Sequence, residues 1–261
     1  MTKITQAQLG FIGTGTISAA IIEGLSASGD EAIVVSPRNV AIATDLSSRF
    51  AHVEMARDNQ AVLDGSEVVV LAIRPQVAET VLAPLSFRPD HRVISLIATV
   101  SIDRLRRWTT PALRVVRAVP LPAVASGESP TAIFPPDAEA RALFDRLGGT
   151  VELPQENQFD IFTAATATMA SYFAFAHSIA DWMEREGIEA SQARTFIAHM
   201  LRGLAETAVA APRSSFAALA DEDQTREGIN EQLFRKLTHN GTIPAIPAGL
   251  DKVLARLRER V

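Results

Sequence analysis

The stretch Gly10-Phe11-Ile12-Gly13-Thr14-Gly15-Thr16-Ile17-Ser18 follows a short apolar run, residues 8–12, and leads into helical periodicity over 16–26. Glycines between a strand and a helix suit a turn that lies against a pyrophosphate. Gly13 permits the tight turn, Gly15 lets the backbone approach the phosphates, and the small Ser18 lets helix and strand pack closely. The helix start then offers free N–H groups and the positive end of its dipole to an anion. The glycine pattern alone also fits a turn with no ligand. Its place at the head of an α/β series favours a dinucleotide site contacted by Gly10, Gly13, Thr14, Gly15, Thr16 and Ile17.

Outward from this turn, strand signals fall at 32–36, 67–73, 92–98, 114–118, 129–134 and 150–153, with helical segments at 39–50, 76–85 and 136–147. Unbroken apolar strands such as EVVVLAI, 67–73, predict a mostly parallel sheet covered on both faces. After Pro154 no strand signal remains. Helices are expected at 158–186, at 191–211 with Ser191 as N-cap, and at 214–220, 225–238 and 248–260. The expected fold is α/β: a Rossmann-type nucleotide domain, 1–155, followed by an all-helical substrate and dimerisation domain, 156–261.

The end of the second strand selects the dinucleotide. NAD sites usually hold the ribose 2′-hydroxyl with Asp or Glu there. This chain reads Val35-Ser36-Pro37-Arg38-Asn39, with donors and no acid. Ser36, Arg38 and Asn39 are expected to meet the 2′-phosphate of NADP(H), Arg38 through a permanently charged guanidinium. Ala72, Ile73, Arg74 and Pro75 close the strand 67–73. They are expected beside the cofactor, because ligands of open α/β sheets lie outside the carboxyl ends of the strands.

Composition sets the limits. The 261 residues are 47% hydrophobic and 21% charged, which is enough apolar surface for a core and excludes general disorder. Net charge is −5 without a basic run, so nucleic acid is not an expected partner. The start MTKITQAQLGFIG lacks the pattern of a secretory signal, and no apolar run reaches membrane-spanning length. No cysteine is present, and the five histidines lack metal-ligand spacing, so no metal is expected. A cytoplasmic protein is the expectation. Lys3, Lys236 and Lys252 are its only lysines. The segment 158–186 holds none, which argues against a β-hydroxyacid dehydrogenase, a class of the same domain order that uses a lysine in its central helix.

The chain resembles the pyrroline-5-carboxylate reductases, which reduce a cyclic imine with NAD(P)H to make proline. GFIGTGTISAAIIEGL (10–25) is similar to the family's opening motif, and VVVLAIRPQV (68–77) to its VKPQ segment. RVVRAVPLPAVASGESPTAIF (114–134) is similar to R-x-MPNTP…GEG-TA. DIFTAATATMASYFAFAHSIAD (160–181) resembles D-x-x-TA-x-SGSGPAY, and GLAETA (203–208) the end of the next family helix. Leu121 stands where the family has the Asn of MPNTP. SGSG becomes Thr166-Ala167-Thr168-Met169, and SPGGTT becomes Thr225-Arg226-Glu227-Gly228-Ile229-Asn230. These departures fall in the part that the resemblance gives to the substrate.

The resemblance makes Thr166, Thr168 and Asn230 the candidate catalytic residues. A protonated cyclic imine accepts hydride without a dedicated protein acid, which agrees with the lack of an obvious one. A substrate carboxylate needs N–H groups or hydroxyls, and the helix start at 225–230 offers both. Tyr172 reads as a packing residue with a polar tip, and His177 as a core or interface residue rather than a catalyst. Phe159, Phe162, Phe173 and Phe175 read as core. Apolar residues wrap most of the segment 158–186, so it needs burial all round, and a homo-oligomer, at least a dimer, is expected. The alternatives are a non-catalytic NADPH-binding protein and a reductase of another imine or hydroxyacid.

Overall fold

The computed structural model describes residues 7–259; Lys3 and Arg260, the predicted end of the last helix, lie outside them. The chain divides into two compact units. One runs to Thr163 and takes up the chain again from Arg256; the other is Ala164–Ala255.

The first unit holds an eight-stranded sheet: β1 (Ala7–Ile12), β2 (Ile33–Val35), β3 (Val53–Met55), β4 (Ser66–Leu71), β5 (Arg92–Ser95), β6 (Arg114–Val119), β7 (Thr131–Phe134) and β8 (Thr150–Glu152). Their spatial order is β3-β2-β1-β4-β5-β6-β7-β8. All neighbours are parallel except β6 and β7. Around it lie α1 (Thr16–Ser26), α2 (Val40–Arg49), α3 (Asn59–Asp64), α4 (Pro75–Leu82), α5 (Ile102–Trp108) and α6 (Ala138–Asp145).

Strand side chains alternate between the two faces. Ile12, Val69, Leu71, Val93 and Val115 join one buried cluster, and Phe11, Val70, Ile94 and Val116 the other. Burial on both faces explains why these strands read as continuous apolar runs. From β1 the chain builds β2 and β3 on one side, then crosses to β4 on the other. That reversal opens a crevice at the carboxyl ends of β1 and β4, where α/β folds bind ligands.

Three elements of this unit are absent from the sequence reading: β3, α3 and α5. Each is too short for a periodic signal, and local caps define the helices instead. Asp58 accepts from the Ala61 N–H at the start of α3, and Ser101 from the Arg104 N–H at the start of α5.

Arg117 of β6 fastens this unit to its last helix, α7 (Glu156–Ala165). Only 3% exposed, its guanidinium lies 2.7 Å from Glu156 and stacks 4.1 Å above the Phe159 ring. Asp160 follows at 3.9 Å. Glu156 also accepts the Ile102 N–H at 2.7 Å, so one carboxylate joins β6, α5 and α7. A buried guanidinium is tolerable only with such partners.

The second unit contains α8 (Thr168–Arg185), α9 (Ala190–Ala210), α10 (Phe216–Glu222) and α11 (Ile229–His239), and most of α12 (Ala245–Arg258). The single helix expected over 158–186 is therefore two, α7 and α8, broken at Thr166 and Ala167. There the Ala167 and Met169 N–H groups bond three residues back, and the Thr168 hydroxyl donates to the Ala165 carbonyl at 2.8 Å. Such local bonds compete with a continuous helix. Ser191 is not the cap of α9: Glu189 accepts the Ser191 and Gln192 N–H groups. The helix expected over 225–238 starts at Ile229, after an extended Gly228.

Of the four phenylalanines read as core, Phe159 is buried, whereas Phe162, Phe173 and Phe175 are exposed. Tyr172 and His177 are exposed as well. The single chain leaves α8 with no buried residue. No described helix is long and apolar enough to cross a membrane.

His91, fully buried, carries a pH signature. Its Nδ1 accepts the Arg88 N–H at 2.9 Å, which leaves Nε2 to donate to the Leu63 carbonyl at 3.0 Å. Burial first, and then the Arg88 charge, hold its pKa below the ordinary 6.5. Folding thus favours the neutral ring. Its contribution is complete above pH 6.5 and is lost as pH falls through the depressed value, because the unfolded chain binds that proton first. Urea unfolding between about pH 7 and 5.5 should show stability declining with acid, with a shallower slope in His91→Gln. An unchanged slope would assign the dependence to other groups.

Candidate active site

The turn after β1 is held by two hydroxyls. Gly13 has φ +99°, a region open to glycine, and a β-carbon on it would lie 2.3 Å from the Ala72 carbonyl oxygen. Its N–H donates to Ser36 Oγ at 2.9 Å. The buried Thr14 hydroxyl donates to the Ser36 carbonyl at 2.7 Å and lies 3.2 Å from Ser36 Oγ. Ser18 Oγ donates to the Gly13 carbonyl at 2.6 Å. With the Thr14 proton committed, the Ser36 proton points to Thr14.

Ser36 is therefore a fastener of the glycine turn. It is fully buried, and its hydroxyl is engaged with the Gly13 N–H and the Thr14 hydroxyl. Gly10 is buried as well. A β-carbon there would meet Ser66 Oγ at 2.1 Å and Val62 at 2.8 Å, so this glycine serves the packing of β1 on α3 and β4. Thr14 is buried behind the turn.

The rest of the motif is open. Gly15, the N-cap residue of α1, makes no side-chain cap, and no atom lies within 4 Å of the place its β-carbon would take. Thr16 is exposed and Ile17 half-buried. A free helix start with room above it fits a pyrophosphate. Past β2, Arg38 is exposed and makes no ion pair among the described residues. Asn39 accepts the Ile42 N–H as N-cap of α2. Arg38 is thus the free cation at this strand end, while the Asn39 carbonyl is engaged by the helix.

Ala72 continues β4 into the crevice, its N–H bonded to the Ile12 carbonyl at 2.8 Å. Ile73 is buried beneath it, and Arg74 is exposed as the N-cap residue of α4, with Pro75 at the first helical position. Two further residues lie on this carboxyl edge. Leu121 follows β6 and precedes a 3-10 turn, Pro122–Ser126. Thr99, in the loop after β5, has φ +64°, a strained conformation for a β-branched residue. Such strain concentrates at functional sites. Nothing in its sequence, an ordinary strand exit, announces it.

In the second unit, Thr166 and Thr168 occupy the α7–α8 break, and Asn230 the first turn of α11. The Asn230 amide donates to the Asp223 carbonyl at 2.8 Å. Gly228 ends the turn before α11, where a β-carbon would meet Thr225 Oγ1 at 2.3 Å. The α11 start has no side-chain cap.

A crevice at the carboxyl edge of a mostly parallel sheet, followed by a helical unit, is an architecture of NAD(P)-dependent oxidoreductases. Residues 8–99 match the family described as NADP oxidoreductase, coenzyme F420-dependent, and 156–260 match the pyrroline-5-carboxylate reductase dimerisation family. The pyrroline-5-carboxylate reductase of Synechocystis is 32% identical over 212 residues, 76% of this chain and 78% of its own. The chain belongs to the pyrroline-5-carboxylate reductase family. Its fold matches the Streptococcus pyogenes 1-pyrroline-5-carboxylate reductase with a TM-score of 0.84 at 24% identity, covering 97% of this chain and 98% of that one. The Plasmodium falciparum pyrroline carboxylate reductase with NADP bound matches at 0.80 and 17% identity, over 98% and 99% of the two chains.

Two substitutions separate the roles of the strand-end residues. Arg38→Ala should weaken NADPH binding by about 1.5–3 kcal/mol and leave NADH nearly unchanged. Ser36→Ala strands the Gly13 N–H, so it should cost about 1–3 kcal/mol of stability and weaken both cofactors alike. Titration calorimetry and thermal unfolding read these effects. A loss confined to NADPH in Ser36→Ala would reverse the assignment.

Proposed function

We propose that this protein reduces a cyclic imino acid with NADPH, with pyrroline-5-carboxylate as the substrate and proline as the product. The observation that carries the reading is the open start of α1 beside the exposed Arg38, in a chain of this family. The N–H groups from Gly15 onward would hold the pyrophosphate, Arg38 the 2′-phosphate, and the backbone of Ala72–Arg74 the inner face of the crevice. When bound, NADPH supplies the hydride.

On the substrate side, Thr166, Thr168 and Asn230 are the proposed contacts, within a substrate and dimerisation domain, 156–261. The Thr168 hydroxyl spends its proton on the Ala165 carbonyl. It keeps lone pairs that suit the N–H of a protonated imine. The uncapped start of α11 offers N–H groups and the positive end of a helix dipole to the substrate carboxylate. Asn230, tied to Asp223, would hold that helix start in place. Because the substrate arrives as the cation, no protein acid has to protonate it first.

NADPH oxidation followed across pyrroline-5-carboxylate, its six-membered homologue and imines without a carboxylate tests this. Turnover should be fastest with pyrroline-5-carboxylate, and Asn230→Ala should lower it while NADPH affinity holds. NADPH binding without turnover of any imine would replace the reading with a non-catalytic one. Preference for an imine lacking the carboxylate would refute the substrate assignment.

We also propose a homo-oligomer of at least two chains formed through α8 and α9. Their apolar surface supports it: Phe173 is 70% exposed, Phe196 61% and Val209 81% in the single chain. Light scattering on dilute protein should give at least twice the single-chain mass. A stable, active single chain would overturn the proposal.

A further inference from the structure

The edge of the sheet opposite the glycine turn encloses a separate cavity of about 280 Å³, between the amino-terminal ends of β5 and β6 and helix α6. Leu9, Val68, Ile94 and Val116, from four adjacent strands, make an apolar floor, with Leu143 of α6 above them. Arginines and acids ring the mouth, and their pairing is uneven. Arg92 pairs with Glu139, and Arg146 with Glu31 at 2.6 Å. Asp137 is committed to the start of α6, where it accepts the Glu139 and Ala140 N–H groups. Arg114 makes no ion pair among the described residues. It also lies in register beside Arg92 on the neighbouring strand. Adjacent strands run about 4.8 Å apart, so two guanidinium side chains start from neighbouring positions, and Glu139 pairs with Arg92 and not with Arg114.

We propose that this cavity binds a small aliphatic monocarboxylate, its carboxylate on Arg114 and its hydrocarbon body on the apolar floor. An anion there would give Arg114 the ion-pair partner that Arg92 and Arg146 already have. The volume falls just under the usual range of about 300–1,000 Å³ for ligand pockets, which favours a compact guest. A zwitterionic amino acid fits less well, because Glu31, Glu139 and Asp137 are already engaged and none is left for its ammonium group. A bare phosphate would reach Arg114 but gain nothing from the floor.

Titration calorimetry and ligand-observed NMR with pentanoate, 2-methylbutanoate, valine and inorganic phosphate test the site on the full-length protein. Both carboxylates should bind saturably, valine and phosphate more weakly. Arg114→Met keeps the aliphatic stem and removes the charge, and should weaken carboxylate binding about tenfold. Leu143→Trp should block it by filling the cavity. Neither substitution should change NADPH affinity, which also reports that the variants are folded. Absence of saturable carboxylate binding would overturn the proposal. So would binding unaffected by both substitutions, which places the guest elsewhere, or phosphate binding as tightly as the carboxylates, which denies the floor a role.

Discussion

A β-carbon on Gly13 would lie 2.3 Å from the carbonyl oxygen of Ala72, and the residue's φ of +99° is one that side chains rarely allow. The carboxyl ends of β1 and β4 can approach this closely only because that carbon is missing. The turn is then pinned from β2, where the Ser36 hydroxyl takes the Gly13 N–H and meets the Thr14 hydroxyl. Three strands thus meet at one buried polar knot. The start of α1 is aimed from it, with Gly15 left open to whatever lies outside. A polar knot buried in an apolar sheet is tolerable only when every donor has an acceptor, and here the hydroxyls satisfy one another.

The second unit follows a different constraint. Its helices carry large apolar side chains that the single chain does not cover, and α8 buries none of its residues. A helix apolar on most sides needs neighbours on most sides. The two units accordingly rest on different physics: closed hydrogen bonding at the head of the sheet, uncovered apolar surface on the helices. The departures from the family pattern at Leu121, Thr166–Met169 and Thr225–Asn230 leave the first arrangement intact.

The sheet was legible because strands buried on both faces leave continuous apolar runs, and α1 because its glycine turn marks its start. β3 and α3 were not, since three and six residues are too few to show a period. The break between α7 and α8 was hidden because Thr166-Ala167-Thr168 does not interrupt the apolar pattern; it shows only in the local hydrogen bonding. In the site, Arg38 was readable as the cation at a strand end without an acid. The role of Ser36 was not, because a serine at a strand end looks the same whether it faces a phosphate or a neighbouring turn. The burial of Gly10 against Ser66 depends on a chain segment distant in sequence, which no local pattern encodes.

The reaction proposed for this chain is hydride transfer from NADPH to an imine carbon. A single turnover with NADPH deuterated at the transferring position of C4, mixed with pyrroline-5-carboxylate and analysed by mass spectrometry, tests it most directly. The expected product is proline carrying one deuterium at the former imine carbon, in amount equal to the cofactor oxidised. Unlabelled proline, or no oxidation of bound NADPH, would contradict it.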